Sequence, residues 1–171
     1  MVRAGRPHAA VFLIDFGLAW LFRNPATYLH IPYSEDHSIV GTLPFTSING
    51  QQGHAQSRRD DLESLVYTII FSARGDLPWT TTSAYSSQKA VLQKKKSVMA
   101  EELCEGLPTP FHKFVTYVHS LGFDAKPDYQ YLHSIISQCS AAEADHPGET
   151  LPSPALLHVG ADRKPVSSGR V

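Results

Sequence analysis

Residues 57–75 read SRRDDLESLVYTIIFSARG and carry the clearest helical pattern of the chain. Apolar residues recur there at the i, i+3, i+4 and i+7 spacing of one helical face. Asp60 and Asp61 suit the first turn, because carboxylates cap free N–H groups and oppose the positive end of the helix dipole. Gly75 suits the C-terminal end. We predict a long helix whose apolar face is formed by Leu62, Leu65, Val66, Ile69, Ile70 and Ala73.

Three further helices are predicted downstream of this one. The first is expected over residues 88–100, after a loop at Leu77-Pro78-Trp79. The second and third have helical apolar spacing, and Pro127-Asp128 is a start signal for the last. Upstream, residues 11–14 are predicted to form a short buried strand. The apolar residues of the last two helices are Phe111, Phe114, Val115, Val118 and Leu121, then Tyr129, Leu132, Ile135, Ile136 and Cys139.

Two stretches lack helical periodicity. Residues 23–57 are rich in Pro, Ser, Thr, Asn and Gly, and a loop of this length in a compact domain is usually functional. From about Ser140 the composition shifts to Pro and small polar residues, which bury too little apolar surface to offset the entropy of ordering. We therefore predict a mostly disordered tail over residues 141–171.

The bulk composition narrows the class of partner. The chain has 171 residues with 42% hydrophobic content, and its 15 Lys and Arg nearly balance its 16 Asp and Glu. This balance argues against nucleic acid and anionic membrane as partners. No run approaches the roughly 20 apolar residues of a spanning helix, and an intracellular location in cytoplasm or nucleus is expected.

Metal and thiol chemistry receive little support from the residue spacing. The nine histidines show no HxxxH or HExxH pattern, and Cys104 and Cys139 form no metal-binding pair, so buried free thiols are predicted. The run 94–96, three lysines, could be a nuclear signal or a phosphate-binding patch. A solvated face on a surface helix is the favoured interpretation.

Asp15-Phe16-Gly17, by itself, fits any tight turn with glycine at a positive φ. In order with several other segments, however, it resembles the casein kinase I family, and the resemblance covers roughly residues 11 to 139. The segments that carry it are Ile14-Asp15-Phe16-Gly17-Leu18-Ala19, His30-Ile31-Pro32-Tyr33, Gly41-Thr42, Ser47-Ile48-Asn49, residues 57–65, Gly75-Asp76-Leu77-Pro78-Trp79 and residues 123–132. Ser-Ile-Asn is a specific mark, because that family has it where most kinases have Ala-Pro-Glu.

The resemblance implies a mainly α fold, the C-terminal lobe of a protein kinase-like domain with a long activation segment. It divides the chain into an N-terminal stub (1–10), a partial kinase domain (11–140) and the disordered tail (141–171). The family transfers phosphate from ATP, with Mg²⁺, to serine or threonine of protein substrates. A protein substrate or another protein is therefore the expected partner.

Individual roles follow from the matched positions. Asp15 resembles the magnesium ligand, and Gly17 beside it completes the predicted cofactor-binding pair. Thr42 resembles the activation-segment threonine that supports the site of the substrate hydroxyl. Asp61 resembles the structural aspartate of helix F, which holds the catalytic loop through backbone N–H groups.

The anion contacts of the family are not matched. Pro44 stands where the family has an arginine that recognises phosphorylated or acidic substrates, and Ser83 aligns loosely with a second, lysine contact. The charge-assisted hydrogen bonds that hold a phosphate are thus lost, and weak preference for phosphorylated substrates is predicted. For Arg58 and Arg59, substrate contacts and solvated or locally paired charges remain equally open.

Several parts of a kinase site are not found in the sequence. No His-Arg-Asp loop with its downstream Asn occurs, no Gly-rich loop precedes Asp15, and every lysine lies at or after position 89. No catalytic residue is assigned, and the chain alone is predicted to be catalytically incompetent, without stable binding of ATP and Mg²⁺. Part of the face formed by Leu62, Leu65 and Ile69 is expected to lie open and to favour self-association. The alternative is a pseudokinase-type protein-interaction module.

Overall fold

A computed structural model describes residues 12–80 and 87–144, apart from the side chains of 142–144. Over these ranges the protein is mainly α-helical, as predicted, and the sole pairing of extended backbone is an isolated antiparallel bridge between Arg23 and His30. The helices are α1 (Ile48–Gln51), α2 (Arg58–Arg74), α3 (Gln88–Ser97), α4 (Ala100–Leu103), α5 (Thr109–His119) and α6 (Tyr129–Ala144). None of the described helices is long and apolar enough to cross a membrane.

Helix α2 confirms the prediction drawn from residues 57–75. The Asp60 carboxylate reaches back to the N–H of Ser57 at 2.9 Å, which satisfies a free donor at the start of the helix. Gly75 ends the helix in the left-handed region, with φ of 83°, and its N–H donates to the Phe71 carbonyl. An L side chain would be strained at that φ, so glycine suits this position.

Helices α5 and α6 pack against each other, and α5 also packs against α2. The predicted apolar spacing is confirmed for α5, where Phe111, Phe114, Val115 and Val118 are buried. In α6 it holds in part, because Leu132 and Ile135 are buried whereas Tyr129 and Ile136 are 53% and 36% exposed. Loops and α3 complete the same cluster. The core comprises Leu62, Val66, Tyr67, Ile70, Leu77, Trp79, Val91, Leu103, Cys104, Phe111, Phe114, Val115, Val118, Leu132 and Ile135.

The helix expected over residues 88–100 is shorter than predicted. Helix α3 ends at Ser97, Val98 is extended, and α4 begins at Ala100. The Lys94 carbonyl accepts both the Ser97 hydroxyl at 2.9 Å and the Val98 N–H at 3.1 Å, which closes the last turn of α3. One predicted helix is therefore two, separated by an extended residue.

The predicted buried strand at the N-terminal end is wrong over the residues that the structure describes. Phe12, Leu13 and Ile14 are non-helical and non-strand, and their exposed fractions are 68%, 82% and 66%. A strand is stable only when a neighbour pairs with it, and residues 12–80 and 87–144 contain no other strand that could do so. Val11 lies outside the described residues.

The segment 22–33 is folded, although its sequence lacks periodicity. The Asn24 side chain accepts hydrogen bonds from the N–H groups of Ala26 and Thr27 at 2.8 and 3.1 Å. The resulting turn brings Phe22 and His30 to a ring separation of 5.9 Å.

At the other end of the chain, α6 continues to Ala144, so the first four residues of the predicted tail are helical. The remainder of that tail lies outside the described residues.

Candidate functional site

Asp15 lies in a tight backbone turn at the exposed N-terminal end of the described chain. Its φ and ψ are 63° and 77°, which is left-handed, and its carboxylate accepts from the Gly17 N–H at 3.3 Å. A Cβ atom on Gly17 would lie 3.2 Å from that carboxylate oxygen, so the turn favours glycine. The two residues of the predicted cofactor-binding pair are thus in direct contact and face solvent.

Asp15 provides one carboxylate for a cation. Among the residues that the structure describes, no group of three or more His, Cys, Asp or Glu side chains could hold a metal ion. Mg²⁺ is commonly bound by one or two carboxylates together with phosphate oxygens and water. The accessible Asp15 carboxylate fits one such ligand position, and the other ligands would come from a bound nucleotide or from other residues.

The segment 42–47 lies between this turn and α1. The Thr42 carbonyl accepts from the N–H groups of Phe45 and Thr46, and Thr46 is buried. Thr42 itself is exposed, and its hydroxyl makes no hydrogen bond within the described part of the chain. The predicted substrate-segment threonine is therefore accessible, while the residues after it are fixed to the protein.

Ser47 and Ile48 are fixed by two acidic residues of α2. The Ser47 hydroxyl donates to the buried Asp60 carboxylate at 2.8 Å and accepts from the Gly50 N–H at 3.0 Å. The backbone N–H of Ile48 donates to the Glu63 carboxylate at 2.9 Å. Proline has no N–H, so the family difference between Ser-Ile-Asn and Ala-Pro-Glu acquires a physical meaning: Ile48 supplies a donor that Ala-Pro-Glu would lack.

Replacing Ile48 with proline should therefore destabilise the protein, although proline is normally well tolerated at the first position of a helix. The Glu63 carboxylate would lose a donor inside the protein, and we expect the free energy of unfolding to fall by about 1–3 kcal/mol. Urea denaturation of Ile48→Pro and Ile48→Ala separates the effects, because alanine removes the side chain and keeps the N–H. Equal stability of the two variants would contradict the assigned hydrogen bond.

Asp61 and Asp60 have opposite environments. Asp61 is exposed, and within the described ranges its carboxylate accepts no hydrogen bond. Partial burial, and then the neighbouring charge of Asp60, raise the pKa of Asp61. Asp60 is fully buried and bonded to Ser47 and Ser57. The capping of Ser57 by Asp60 was predicted from the sequence, whereas the bond to Ser47, 13 residues earlier, was missed because no local pattern signals it.

Lys95 and Trp79 also hold the segment 42–47. The Lys95 ammonium donates to the carbonyls of Leu43 and Thr46 at 2.9 and 2.6 Å. The Trp79 indole N–H donates to the Pro44 carbonyl at 2.9 Å.

The solvated-face prediction for the lysine run 94–96 is wrong for Lys95, which is 4% exposed. Its place four residues after the buried Val91 sets it on the inner face of α3, which was the missed signal. Lys94 pairs with Glu102 at 3.1 Å and Lys96 is exposed, as predicted for surface residues.

The two arginines at the start of α2 are engaged in local contacts. Arg58 donates to the Asp124 carbonyl at 2.9 Å and stacks over the Phe22 ring at 4.4 Å. Arg59 lies 3.6 Å from Asp60 and over the Phe123 ring at 5.6 Å. Of the two interpretations left open by the sequence, local pairing is the one that the structure shows.

The other residues singled out in the sequence are Pro44, Ser83, two leucines of α2 and the two cysteines. Pro44 is buried, and Ser83 lies outside the described residues. Leu65 is 44% exposed, as expected for an open face of α2, whereas Leu62 is buried. Cys104 is a buried thiol, and burial raises its pKa to about 11; Cys139 lies half-buried against the core.

The comparisons with known proteins point to one group of relatives. The chain is 43% identical over 148 residues to casein kinase I homolog 2 of Schizosaccharomyces pombe, which covers 82% of this chain and 34% of that protein. It is 40% identical over 141 residues to casein kinase I homolog 1 of the same yeast, with 78% and 32% covered. The chain thus spans about a third of the length of these curated relatives. No family model matches the chain.

The helical architecture, with the segment 42–47 bonded to α3 and Ser47 bonded to α2, is that of the C-terminal lobe of a protein kinase-like fold. Within that class, the identity to the two yeast proteins makes this a casein kinase I-like chain, equivalent to a C-lobe portion of such a kinase. The resemblance drawn from the sequence segments is thereby confirmed.

Proposed function

We propose that this chain is the C-lobe part of a casein kinase I-like serine/threonine kinase and does not transfer phosphate by itself. Asp15 would supply a magnesium ligand, and the segment 42–47 would face the protein substrate. The observation that carries the proposal is the state of Asp15 and Asp61. Both are exposed, and Asp61, which would hold a catalytic loop in the family, has no hydrogen-bond partner in the described part of the chain.

Phosphoryl transfer depends on positioning and on stabilising charge around the transferred group. Asp15 is the sole described carboxylate with a family role in metal binding. The buried Lys95 ammonium already donates to two backbone carbonyls, and Lys95 is distant from Asp15 in sequence. These side chains provide no pair of groups that could orient ATP and a hydroxyl together, so ATP and Mg²⁺ binding by the chain alone should be weak.

The location and substrate preference form part of the same proposal. As the resemblance implies, we infer that a complete kinase containing this chain phosphorylates protein substrates in the cytoplasm or nucleus. Pro44 is buried with its carbonyl bonded to Trp79, so this position presents no cation to a phosphorylated substrate. A complete kinase that contains this segment should therefore show weak preference for substrates that already carry a phosphate.

Phosphate incorporation tests the inactivity of the chain. We expect purified chain, ATP, Mg²⁺ and casein to yield no more labelled casein than the Asp15→Ala variant does. Incorporation that Asp15→Ala abolishes would overturn the proposal, because it would show an assembled active site.

A protein-interaction module is the second candidate, and the exposed apolar residues near the N-terminal end favour it. Trp20 and Leu13 are 89% and 82% exposed, and several neighbours are exposed to a similar degree. Contiguous exposed apolar side chains commonly mark sites of association. A protein partner or a second copy of the chain would cover them.

Self-association through these residues should weaken when they become polar. Each buried large side chain contributes about 1.5–3 kcal/mol, so Leu13→Ser with Trp20→Ser should raise the dimer dissociation constant by about 100-fold or more. Sedimentation equilibrium measures the constant, and Gln56→Ser, at another exposed position, serves as the control. A monomeric wild-type chain would rule out the second copy as the occupant.

A further inference from the structure

Lys95 is a buried charged side chain that the proposed kinase chemistry does not use. Its ammonium group donates to the Leu43 and Thr46 carbonyls, and it lies over two aromatic rings, 5.2 Å from Tyr67 and 5.4 Å from Trp79. The two carbonyls are separated from Lys95 by 52 and 49 residues in sequence. One amine therefore connects α3, α2, the Trp79 loop and the segment 42–47.

We propose that Lys95 is a positioning residue that fixes the segment 42–47 against α2 and α3. Its relevance to substrate binding rests on the proposed function, whereas its effect on the segment does not. Two donors to carbonyls three residues apart determine both the position and the rotation of this backbone. The Trp79 indole fixes a third carbonyl, that of Pro44, between them.

The two lysines adjacent to Lys95 in α3 do not share this role. Lys94 bonds to Glu102 at the surface, and Lys96 is exposed. The segment 42–47 contributes carbonyl oxygens and no titratable side chain to the amine. From α2, Glu63 and Tyr67 face it, and from the loop the uncharged Trp79 ring does so.

Titration of the amine provides a signature of its position. Burial lowers the pKa of Lys95 from 10.5 to about 8, and the charge of Glu63 opposes part of this fall. Release of the segment would hydrate the amine and restore its ordinary pKa. The Lys95 amine therefore holds its proton more weakly when the segment 42–47 is bound to it (closed) than when the segment is released (open). The closed state is thus favoured as the pH rises above about 8.

The two tryptophans of the chain allow this closure to be measured in one sample. The Trp79 indole N–H is bonded inside the segment contact, and Trp20 is exposed. NMR measures the hydrogen-exchange rates of both indole N–H groups. Base catalysis affects both rates equally, so it cancels when the Trp79 rate is divided by the Trp20 rate. In the wild-type chain this ratio should fall about tenfold between about pH 7 and pH 9.

Lys95→Met removes the titrating group and the two donors. We expect its exchange ratio to be independent of pH in that range, and at about pH 9 to be about tenfold higher than in wild type. Lys96→Met, at the adjacent exposed position, should behave as wild type. Should Lys95→Met fail to fold, Lys95→Gln takes its place, because its carboxamide cannot titrate and keeps a donor.

An exchange ratio at about pH 9 that is the same in Lys95→Met as in wild type would overturn the proposal, and so would a pH dependence that survives in Lys95→Met or Lys95→Gln. The experiment requires no phosphoryl transfer. An active or an inactive chain would therefore leave its interpretation unchanged, and its failure would leave the proposed function standing.

Discussion

Asp60→Ala should lower the free energy of unfolding by about 3–5 kcal/mol, because the buried carboxylate is bonded to several donors at once. It accepts from the Ser47 hydroxyl and the Ser57 N–H, and Arg59 lies 3.6 Å away. Alanine would leave these donors without a partner in the interior. Since small domains are stable by about 5–15 kcal/mol, this loss is a large fraction of the total.

The adjacent Asp61→Ala is the matched control. Asp61 is exposed and accepts no hydrogen bond within the described residues, and partial burial together with the charge of Asp60 raises its pKa. We expect its removal to change the free energy of unfolding by less than about 0.5 kcal/mol. Urea denaturation followed by circular dichroism measures both variants. A larger loss for Asp61→Ala than for Asp60→Ala would contradict the assigned roles.

Trp79→Ala should be comparably damaging. The Trp79 side chain is 1% exposed, and its ring packs edge-on against Tyr67 at 4.8 Å. Deletion of a buried aromatic side chain costs about 3–5 kcal/mol through lost burial and the cavity that remains. The Pro44 carbonyl would also lose its donor, so the segment 42–47 should loosen with the core.

Trp20→Ala provides the comparison within the same residue type. Trp20 is 89% exposed, and we expect its replacement to alter the unfolding free energy by less than about 0.5 kcal/mol. Thermal and urea unfolding of the two alanine variants measure the difference. Similar stability of both would show that Trp79 does not contribute to the core as described.

The helices were predictable because their information is local. In α2, α5 and α6 the apolar spacing lies within the element itself, and α2 also has an acidic first turn and Gly75 directly after its last residue. The predicted strand over residues 11–14 depended on a neighbour, and apolar residues alone do not supply one. The end of α3 at Ser97, before the extended Val98, leaves no mark in the apolar periodicity.

The candidate site was less predictable because its contacts join distant parts of the chain. Asp15 and Gly17 were predicted as a pair from a short motif, and in the structure the Gly17 N–H donates to the Asp15 carboxylate. Lys95, by contrast, bonds to carbonyls about 50 residues away, and carbonyl acceptors leave no mark in a sequence. Whether Asp60 or Asp61 would be buried also depended on Ser47, 13 residues before Asp60.

A fusion protein tests the central claim most directly. In it, residues 12–139 of this chain replace the matched part of casein kinase I homolog 2 of Schizosaccharomyces pombe, and phosphate transfer from ATP to casein is measured. We predict that the fusion transfers phosphate, that Asp15→Ala in the fusion lowers the rate by about 100-fold or more, and that the isolated chain is inactive. Equal, Asp15-dependent activity of the isolated chain and the fusion would contradict the account, as would a folded but inactive fusion.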